Sequence, residues 1–219
     1  MRMRRHVPLS ERELMIRAGA LAGRSIGEIA EALEWELPRD ERRAKGYVGQ
    51  LVEAALGADP DAGERPDFTT LGIELKTIPL APSGKPAQST FVCSIDMDGV
   101  DREMWESSRL RQRLRRVLWV PVIGARYAPL PQRSVGVPVM WSPSDDDDAT
   151  LRADWERIIG IVSIGGPITA HVGVVLQARP KAANARVRTL GVDDDGMART
   201  LPLGFYLRST FTQQIISST

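Results

Sequence analysis

Two carboxylates and a lysine lie close together in residues 67–76, which read Asp-Phe-Thr-Thr-Leu-Gly-Ile-Glu-Leu-Lys. Glu74 and Lys76 are two residues apart in an alternating segment, so on a strand they share one face at roughly 7 Å spacing. Gly72 allows the chain to turn, so that Asp67 can come alongside Glu74. Two converging carboxylates can bind a magnesium ion, and the lysine can hold the attacking water or help to deprotonate it. The segment predicts metal-assisted hydrolysis of a phosphodiester.

The same pattern also has a purely structural interpretation. An acid followed by Glu-x-Lys arises by chance in alternating charged strands, and taken alone it favours that origin. The rest of the chain must decide between the two.

Composition restricts the kind of metal site. The 219 residues, 42% hydrophobic and 26% charged, are typical of a soluble globular protein, as one large domain or two lobes that share a cleft. A single cysteine and two histidines are too few for a disulfide, a zinc-thiolate cluster or a histidine-based site. We therefore expect oxygen ligands and a hard ion such as Mg²⁺. No apolar run is long enough to cross a membrane and no secretory signal is present, so a cytoplasmic location is expected.

The net charge of +1 means that DNA binding would need a local basic cluster. The sequence offers one in five arginines of a short stretch: Arg109, Arg111, Arg113, Arg115 and Arg116. The alternative is a solvated arginine-rich helix, which the cluster alone slightly favours.

Helices are predicted first along the chain. The segments that begin at Ser10 and Ser25 both fit the capping box, and Pro38 is expected to end this helical unit. A third helix is expected from Tyr47 to Leu56, stopped by a glycine. Farther on, residues 109–117 are predicted as a helix, and Ser144 is expected to cap another whose first turn holds the acidic run 145–148.

Strands are predicted from residue 73 onward. Residues 73–78 alternate and Pro79 is expected to close them, and residues 90–95 place Phe91, Cys93 and Ile95 on one face. Residues 118–123 form a strand that Pro121 marks as an edge or a bend. Residues 172–178 and 205–207 are further strands, with a polar loop at 179–181 and a helical turn or two at the C-terminus. The mix predicts an α/β fold with helices flanking a short mixed sheet.

A resemblance to a known family covers nearly the whole chain. It is carried by seven segments: 45–53, 67–68, 71–79, 90–93, 116–122, 176–185 and 201–207. With these motifs at similar spacing, the chain resembles the MutH family of strand-nicking endonucleases from methyl-directed DNA mismatch repair. The resemblance implies the fold of type II restriction enzymes, with two lobes around a DNA-binding cleft in one domain over residues 1–219.

The resemblance also implies the role of each matching residue. Asp67 and Glu74 would bind the metal, with the main-chain carbonyl of Leu75, and Lys76 would be the catalytic lysine. Glu53 matches a further active-site acid, although its sequence context alone indicates a solvated helix residue. The implied DNA-binding positions are Lys45, Phe91, Arg179, Pro180, Lys181 and Tyr206. For Phe91, core packing explains the alternating strand equally well.

One position departs from the family pattern. Arg113 stands where the family often has a lysine near the active site. Arginine keeps the positive charge but does not lose a proton. A phosphate-clamping role therefore stays possible, whereas a general-acid role does not.

The implied function is a monomeric, Mg²⁺-dependent endonuclease, with Mn²⁺ as a substitute. It would nick the unmethylated strand of hemimethylated GATC sites in double-stranded DNA, 5′ to the guanine. MutL would activate it directly and MutS through MutL, and the ATP would be theirs, since no phosphate-binding Gly-x-x-x-x-Gly-Lys loop is present. Two alternatives stay open: a restriction enzyme that cuts unmethylated GATC, and a non-catalytic DNA-binding module of the same fold.

Overall fold

The fold alternates helices with short strands. The computed structural model describes residues 6–39, 46–97, 99–100, 102–124, 127–169, 171–181, 189–193, 196–200 and 202–217, without side chains for 189–200. The helices are α1 Glu11–Gly19, α2 Ile26–Ala32, α3 Tyr47–Leu56, α4 Arg109–Leu114, α5 Asp145–Ser163 and α6 Ser209–Ser217. The strands are β1 Glu74–Leu80, β2 Thr90–Ser94, β3 Val117–Ile123, β4 Ser134–Val135, β5 Val139–Trp141, β6 Leu176–Pro180, β7 Thr189–Asp193, β8 Gly196–Thr200 and β9 Leu203–Leu207.

The chain divides into two compact units, which are described separately. The first unit comprises Met1–Gln88, Arg115–Ser142 and Gln213–Thr219, and the second comprises Ser89–Leu114 and Pro143–Thr212. None of the helices in the described parts is long and apolar enough to cross a membrane.

A four-stranded mixed sheet forms the centre of the first unit. The central strand β3 is parallel to β1 and antiparallel to both β4 and β5. One face of the sheet, with Leu75 and Leu118, joins the core formed by α1, α2 and α3. The opposite face carries Glu74 beside Val117 and Lys76 beside Trp119, because paired residues of parallel strands share a face. The predicted α/β class with a short mixed sheet is confirmed.

Two prolines lie inside strands, where the sequence predicted a strand end and an edge. Pro79 does not close β1, which continues to Leu80. Its nitrogen faces the side of β1 away from β3, so the missing N–H costs no hydrogen bond with β3. Pro121 lies in the central strand β3, not at an edge or a bend, between the residues that pair with β5 and those that pair with β4. Proline is tolerated at both places because no carbonyl of a neighbouring strand needs a backbone N–H from that position.

The helix starts of the first unit follow the predicted caps with one difference. Ser25 and Glu28 form the full reciprocal capping box of α2. At α1, Ser10 accepts from Glu13 N, but the Glu13 carboxylate accepts from Leu9 N instead of Ser10 N. Helix α3 spans the predicted residues and ends at Gly57, whereas α2 ends six residues before Pro38. Pro38 therefore does not set the end of that helix.

The second unit contains an antiparallel sheet in the order β2-β9-β6, and β7 and β8 form a separate pair. Helix α5 begins at the predicted cap Ser144, which forms a full capping box with Asp147, so that each satisfies the other's backbone donor. From this helix the buried Asp154 accepts hydrogen bonds from the backbone N–H groups of Val174, Val175 and Leu176. These bonds fix the start of β6 against α5.

Three predicted elements have different bounds in the structure. Helix α4 ends at Leu114, because Val117 already belongs to β3. Strand β6 covers Leu176–Pro180, so Arg179 and Pro180 lie on a strand and not in the predicted polar loop. Pro180 is accepted there because β6 is an edge strand. The predicted turn or two at the C-terminus is the nine-residue helix α6.

Candidate active site

A tight turn brings Asp67 next to the first residues of β1. Phe68 N donates to the carbonyl of Ile73 at 2.9 Å, and both side chains are fully buried, which anchors the two arms of the turn. Gly72 has a φ of +66°, a backbone conformation that residues with a Cβ rarely adopt. The predicted turn at Gly72 is therefore present, and it returns the chain so that Asp67 and Leu75 meet.

The side of β1 that faces away from β3 offers backbone groups to Asp67. Glu74 N donates to the carbonyl of Arg116 at 2.9 Å, on the β3 side. Alternate residues of a parallel strand bond the same neighbour, so the N–H and C=O of Leu75 point the other way. Leu75 N donates to Asp67 Oδ2 at 2.8 Å. The carbonyl of Leu75 thus faces the same side of β1 as the Asp67 carboxylate.

Glu74 and Lys76 form an ion pair on the opposite face of the sheet from the helical core. Lys76 Nζ donates to Glu74 Oε1. The side chain of Glu74 is 1% exposed and that of Lys76 is 15% exposed. An ion pair so shielded from water is held more firmly than one at the surface, because solvent screens it less. Lys76 therefore presents a localised positive charge beside Glu74.

Burial and neighbouring negative charges raise the pKa of Asp67 to about 6. Desolvation by burial is the largest cause, and the charge of Glu74 is the next. The hydrogen bond from Leu75 and the charge of Lys76 oppose these effects, and the charge of Glu53 adds to them. Asp67, Glu74 and Glu53 therefore act on one another electrostatically, as expected for acids gathered in one site.

Helix α3 carries Glu53 to β1. A methyl group built on Gly49, one turn earlier, would be 3.8 Å from Glu53 Oε1 and 3.7 Å from Thr77 Oγ1. Glu53 is half-buried, so the interpretation as a solvated helix residue is wrong. Sequence spacing could not reveal this position, because it depends on how α3 packs against β1.

The donor atoms suit a hard divalent cation. Asp67 and Glu74 supply carboxylate oxygens and Leu75 a carbonyl oxygen, which are the ligand types that Mg²⁺ prefers. Burial and the negative charge of Glu74 raise the pKa of Asp67, and a bound cation would offset both effects by stabilising the ionised carboxylate. Among the described residues, no group of three or more His, Cys, Asp or Glu side chains is arranged to hold a metal. A site here would therefore use two carboxylates and main-chain oxygen.

Arg113 and Lys45 are the other predicted site residues outside the sheet of the second unit. Arg113 lies on α4 in the second unit and is half-buried. Lys45 lies outside the described residues. Of the arginine cluster, Arg111 pairs with Asp148 at 3.0 Å and Arg116 pairs with Glu11. Both arginines are held by acids, and Arg116 lies beyond the end of α4.

The predicted DNA-binding residues of the second unit form a row on one face of its sheet. The guanidinium carbon of Arg179 lies 5.6 Å from the ring centre of Tyr206. The rings of Tyr206 and Phe91 meet edge to face with centres 5.3 Å apart, and Lys181 Nζ lies 4.6 Å from the centre of Phe91. This cation–aromatic row, Arg179–Tyr206–Phe91–Lys181, is on the surface, with both cations exposed and both rings half-buried. Pro180 is exposed on the same strand as Arg179.

A β-bulge explains why Phe91 is part of this row. The pairing of β2 with β9 shifts between Phe91 and Cys93, so Phe91 pairs with Tyr206 while Cys93 pairs with the buried Phe205. The prediction that Phe91, Cys93 and Ile95 share one face is therefore wrong. The extra residue turns Phe91 to the face that carries Tyr206, away from the buried side.

Two polar contacts beside the row were not predicted. Lys181 Nζ donates to Ser94 Oγ at 3.0 Å, and Gln177 Nε2 donates to Ser89 Oγ at 2.7 Å. Each contact joins residues more than eighty positions apart in the chain, so local sequence patterns carry no signal for them. Ser94 restricts the ammonium group of Lys181 to the edge of the row.

Comparison with known proteins agrees with this geometry. The profile of the family described as DNA mismatch repair enzyme MutH matches residues 56–154, which include Asp67, Glu74 and Lys76. The DNA mismatch repair protein MutH of Yersinia enterocolitica is 46% identical over 213 residues, which cover 96% of this chain and 93% of that protein. The DNA mismatch repair protein MutH of Vibrio vulnificus is 46% identical over 215 residues, which cover 97% and 95%.

The fold, the acidic site with its lysine and these relatives define the class of the protein as a DNA endonuclease with the restriction-endonuclease-like fold. Because relatives at 46% identity align with nearly the whole chain, it belongs to the MutH family of DNA mismatch repair enzymes. The predicted family is confirmed.

Proposed function

We propose that the protein is a Mg²⁺-dependent endonuclease that nicks the unmethylated strand of hemimethylated GATC sites, 5′ to the guanine. The observation that carries the catalytic part is the contact of Asp67 with Leu75 N beside the Glu74–Lys76 ion pair. These contacts bring together the carboxylates of Asp67 and Glu74, the main chain of Leu75 and the ammonium group of Lys76. All four lie in β1 and the turn that precedes it. Family membership supports the repair context.

Asp67, Glu74 and the carbonyl of Leu75 would hold the divalent ion. When bound, the ion supplies a Lewis acid for the phosphate and lowers the pKa of an attacking water, a role that Mn²⁺ can also fill. Glu74 Oε1 accepts a hydrogen bond from Lys76 Nζ, and Asp67 Oδ2 accepts one from Leu75 N. The backbone and the lysine thus orient both carboxylates before DNA arrives, which lowers the cost of reorganisation during the reaction.

Lys76 and two further residues complete the proposed catalytic group. The ammonium of Lys76, held by Glu74, stabilises the charge that develops on the phosphate and orients the water. Glu53 adds negative charge near Asp67 and so strengthens the attraction for a cation. Arg113 clamps a phosphate, as a guanidinium with a permanent charge can.

The surface row of the second unit is proposed to read DNA. Arg179 and Lys181 suit guanine edges and phosphates, and Pro180 supplies shape. Phe91 and Tyr206 present aromatic surface between the two cations. Lys45 is proposed as a further DNA contact. The two units are proposed to act as lobes of one domain, 1–219, around the DNA.

Tyr206 is proposed to sense adenine methylation. The N6 edge of adenine lies in the major groove, where an added methyl group blocks a hydrogen bond or clashes. Tyr206 lies at the centre of the row, in contact with both Phe91 and Arg179. If both Tyr206→Phe and Tyr206→Ala kept the preference for unmethylated strands, this role would be wrong.

We place the protein in the cytoplasm, associated with the nucleoid while it acts, as a monomer. MutL is the proposed direct activator, and MutS acts through MutL. The ATP that such a response needs would be bound by the partners. The supporting observation is membership in a mismatch repair family.

Plasmid cleavage tests this function. The purified protein is incubated with Mg²⁺ and supercoiled plasmids that carry or lack one GATC site, in unmethylated, hemimethylated and fully methylated forms. We expect open circles from the plasmids with an unmethylated strand at GATC, and intact supercoils from the fully methylated and site-free plasmids. EDTA should abolish the reaction, and MutL should accelerate it.

The product separates the alternatives. Linear molecules from unmethylated plasmid without MutL would favour a restriction enzyme. Binding without any cleavage, even with MutL and either Mg²⁺ or Mn²⁺, would favour a non-catalytic module and contradict the proposal. Cleavage that persists in plasmids lacking GATC would contradict only the proposed specificity.

A further inference from the structure

Gly204 lies beneath the aromatic part of the surface row. In the sheet of the second unit it is paired with Arg179 on one side and Ser94 on the other. Because side chains alternate along β9, Gly204 shares its face with Tyr206, two residues later. Between Arg179 and Ser94, Gly204 therefore places no side chain on the face that carries Tyr206.

The ring of Phe91 occupies the space that a side chain at position 204 would need. A Cβ built on Gly204 would be 2.8 Å from Phe91 Cε2 and 3.4 Å from Phe91 Cδ2. The next contact, with the carbonyl oxygen of Cys93, is 3.3 Å, which a small shift relieves. Gly204 does not have the positive φ that would itself demand glycine. The obstacle to a larger residue is thus the aromatic ring and not the backbone conformation.

We infer that Gly204 is a positioning residue for DNA recognition, which lets the ring of Phe91 lie on the sheet between Lys181 and Tyr206. The inference rests on the proposed role of Phe91 in DNA binding. With the ring down on Gly204, its centre is 4.6 Å from Lys181 Nζ and 5.3 Å from the ring centre of Tyr206. A methyl group at 204 pushes the ring outward and breaks the contacts on both sides of it.

Binding of a short duplex with one hemimethylated GATC site, measured by fluorescence anisotropy without Mg²⁺, tests the inference. The proteins are the full chain and its Gly204→Ala, Phe91→Ala and doubly substituted forms. We expect each single substitution to weaken binding about fivefold, which is the scale of a lost aromatic contact. In the Phe91→Ala background, Gly204→Ala should change binding by less than about twofold, because the ring is no longer there to be displaced.

The control is Gly160→Ala, the same substitution in the second unit. Gly160 is exposed on α5, and a Cβ built there meets nothing within 4 Å. Its binding should equal that of the unaltered chain. A general disturbance of the sheet would instead make Gly204→Ala equally harmful with and without the Phe91 ring, and that result would overturn the inference.

The remaining outcomes also decide. If Phe91→Ala weakens binding and Gly204→Ala does not, the inference is wrong and the proposed role of Phe91 stands. If Phe91→Ala binds like the unaltered chain, the proposed role of Phe91 is wrong and the inference falls with it. Should Gly204→Ala alone fail to fold, the double form decides. A folded double form that binds like Phe91→Ala supports the inference, and a misfolded one overturns it.

Discussion

The two units hold their functional side chains in opposite ways. In the first unit, Asp67, Glu74 and Lys76 come from one ten-residue stretch and are at least partly shielded from water. Burial, together with the nearby charge of Glu74, raises the pKa of Asp67 to about 6. In the second unit, the row Arg179–Tyr206–Phe91–Lys181 comes from three strands, and its cations already lie against aromatic rings.

This difference matches the two tasks. A site that binds a cation benefits from negative charges that repel one another until the cation arrives. A surface that binds DNA benefits from side chains that are already in place, because less conformational entropy is then lost on binding. Substitutions in the first unit should therefore act on cleavage and metal binding, and those in the second on affinity for DNA.

The largest expected effect is that of Asp67→Asn. The amide can still accept from Leu75 N, so the turn is kept, but one negative ligand is lost. We expect cleavage to fall by at least about a hundredfold, more than the loss typical of a residue that only supports a ligand. Affinity for DNA should change by less than about threefold, since the row of the second unit is untouched. Single-turnover cleavage and anisotropy measure the two quantities.

Asp61→Asn is the matched control, an exposed acid six residues upstream. It should cleave like the unaltered chain. Near-normal cleavage by Asp67→Asn at saturating Mg²⁺ would remove Asp67 from the metal site and with it the contrast between the units.

The lysines proposed to act in catalysis and in DNA binding give expected effects of intermediate size. For Lys76→Gln we expect cleavage at saturating DNA to fall about a hundredfold with little change in affinity, because Lys76 is shielded and bonded to Glu74. For Lys181→Gln we expect weaker binding, with a slope of log affinity against log salt that is shallower by about one. Affinity titrations at several salt concentrations, with single-turnover rates, separate the two effects. Equal losses of rate and affinity in both variants would contradict the division of tasks.

The same contrast explains which parts of the molecule could be predicted from sequence. Asp67, Glu74 and Lys76 could be found because one turn at Gly72 and one strand bring them together within ten residues. Glu53 could be assigned only by family resemblance, since its approach depends on how α3 packs. The contact of Lys181 with Ser94 spans 87 positions, and the bulge that turns Phe91 outward leaves the alternation of the sequence unchanged.

The fold follows the same rule. Helices α3 and α5 were predicted well, because caps and apolar periodicity are local signals that together fix a helix. Strands β4 and β5 have two and three residues, too few for any alternation to be read. Pro79 and Pro121 misled the strand predictions, because whether a proline is tolerated depends on which side of the strand bonds a neighbour, and that is set by the sheet.

The smallest expected effect concerns the stability of the metal-free protein. The pKa of Asp67 is raised to about 6 in the folded chain from an ordinary value of 3.8, so ionisation of Asp67 opposes folding. Well below pH 4 the group is protonated in both the folded and the unfolded state and contributes nothing. Its destabilising effect develops as the pH rises towards 6 and is complete above it. At about pH 7.5 in EDTA, Asp67→Asn should therefore be more stable than the unaltered chain by roughly 1–3 kcal/mol.

Urea unfolding of both proteins between about pH 4 and 7.5 measures this difference, which should shrink as the pH falls. Saturating Mg²⁺ should reverse its sign at about pH 7.5, because the ion stabilises only the protein that binds it. Removing the charge of Asp67 thus stabilises the metal-free protein and abolishes cleavage. Such a trade-off is expected where buried carboxylates are needed to bind a cation. Equal stability of the two proteins in EDTA at every pH would mean that neither burial nor the neighbouring carboxylates disfavour the ionised form of Asp67. The contrast with the paired charges of the second unit would then disappear.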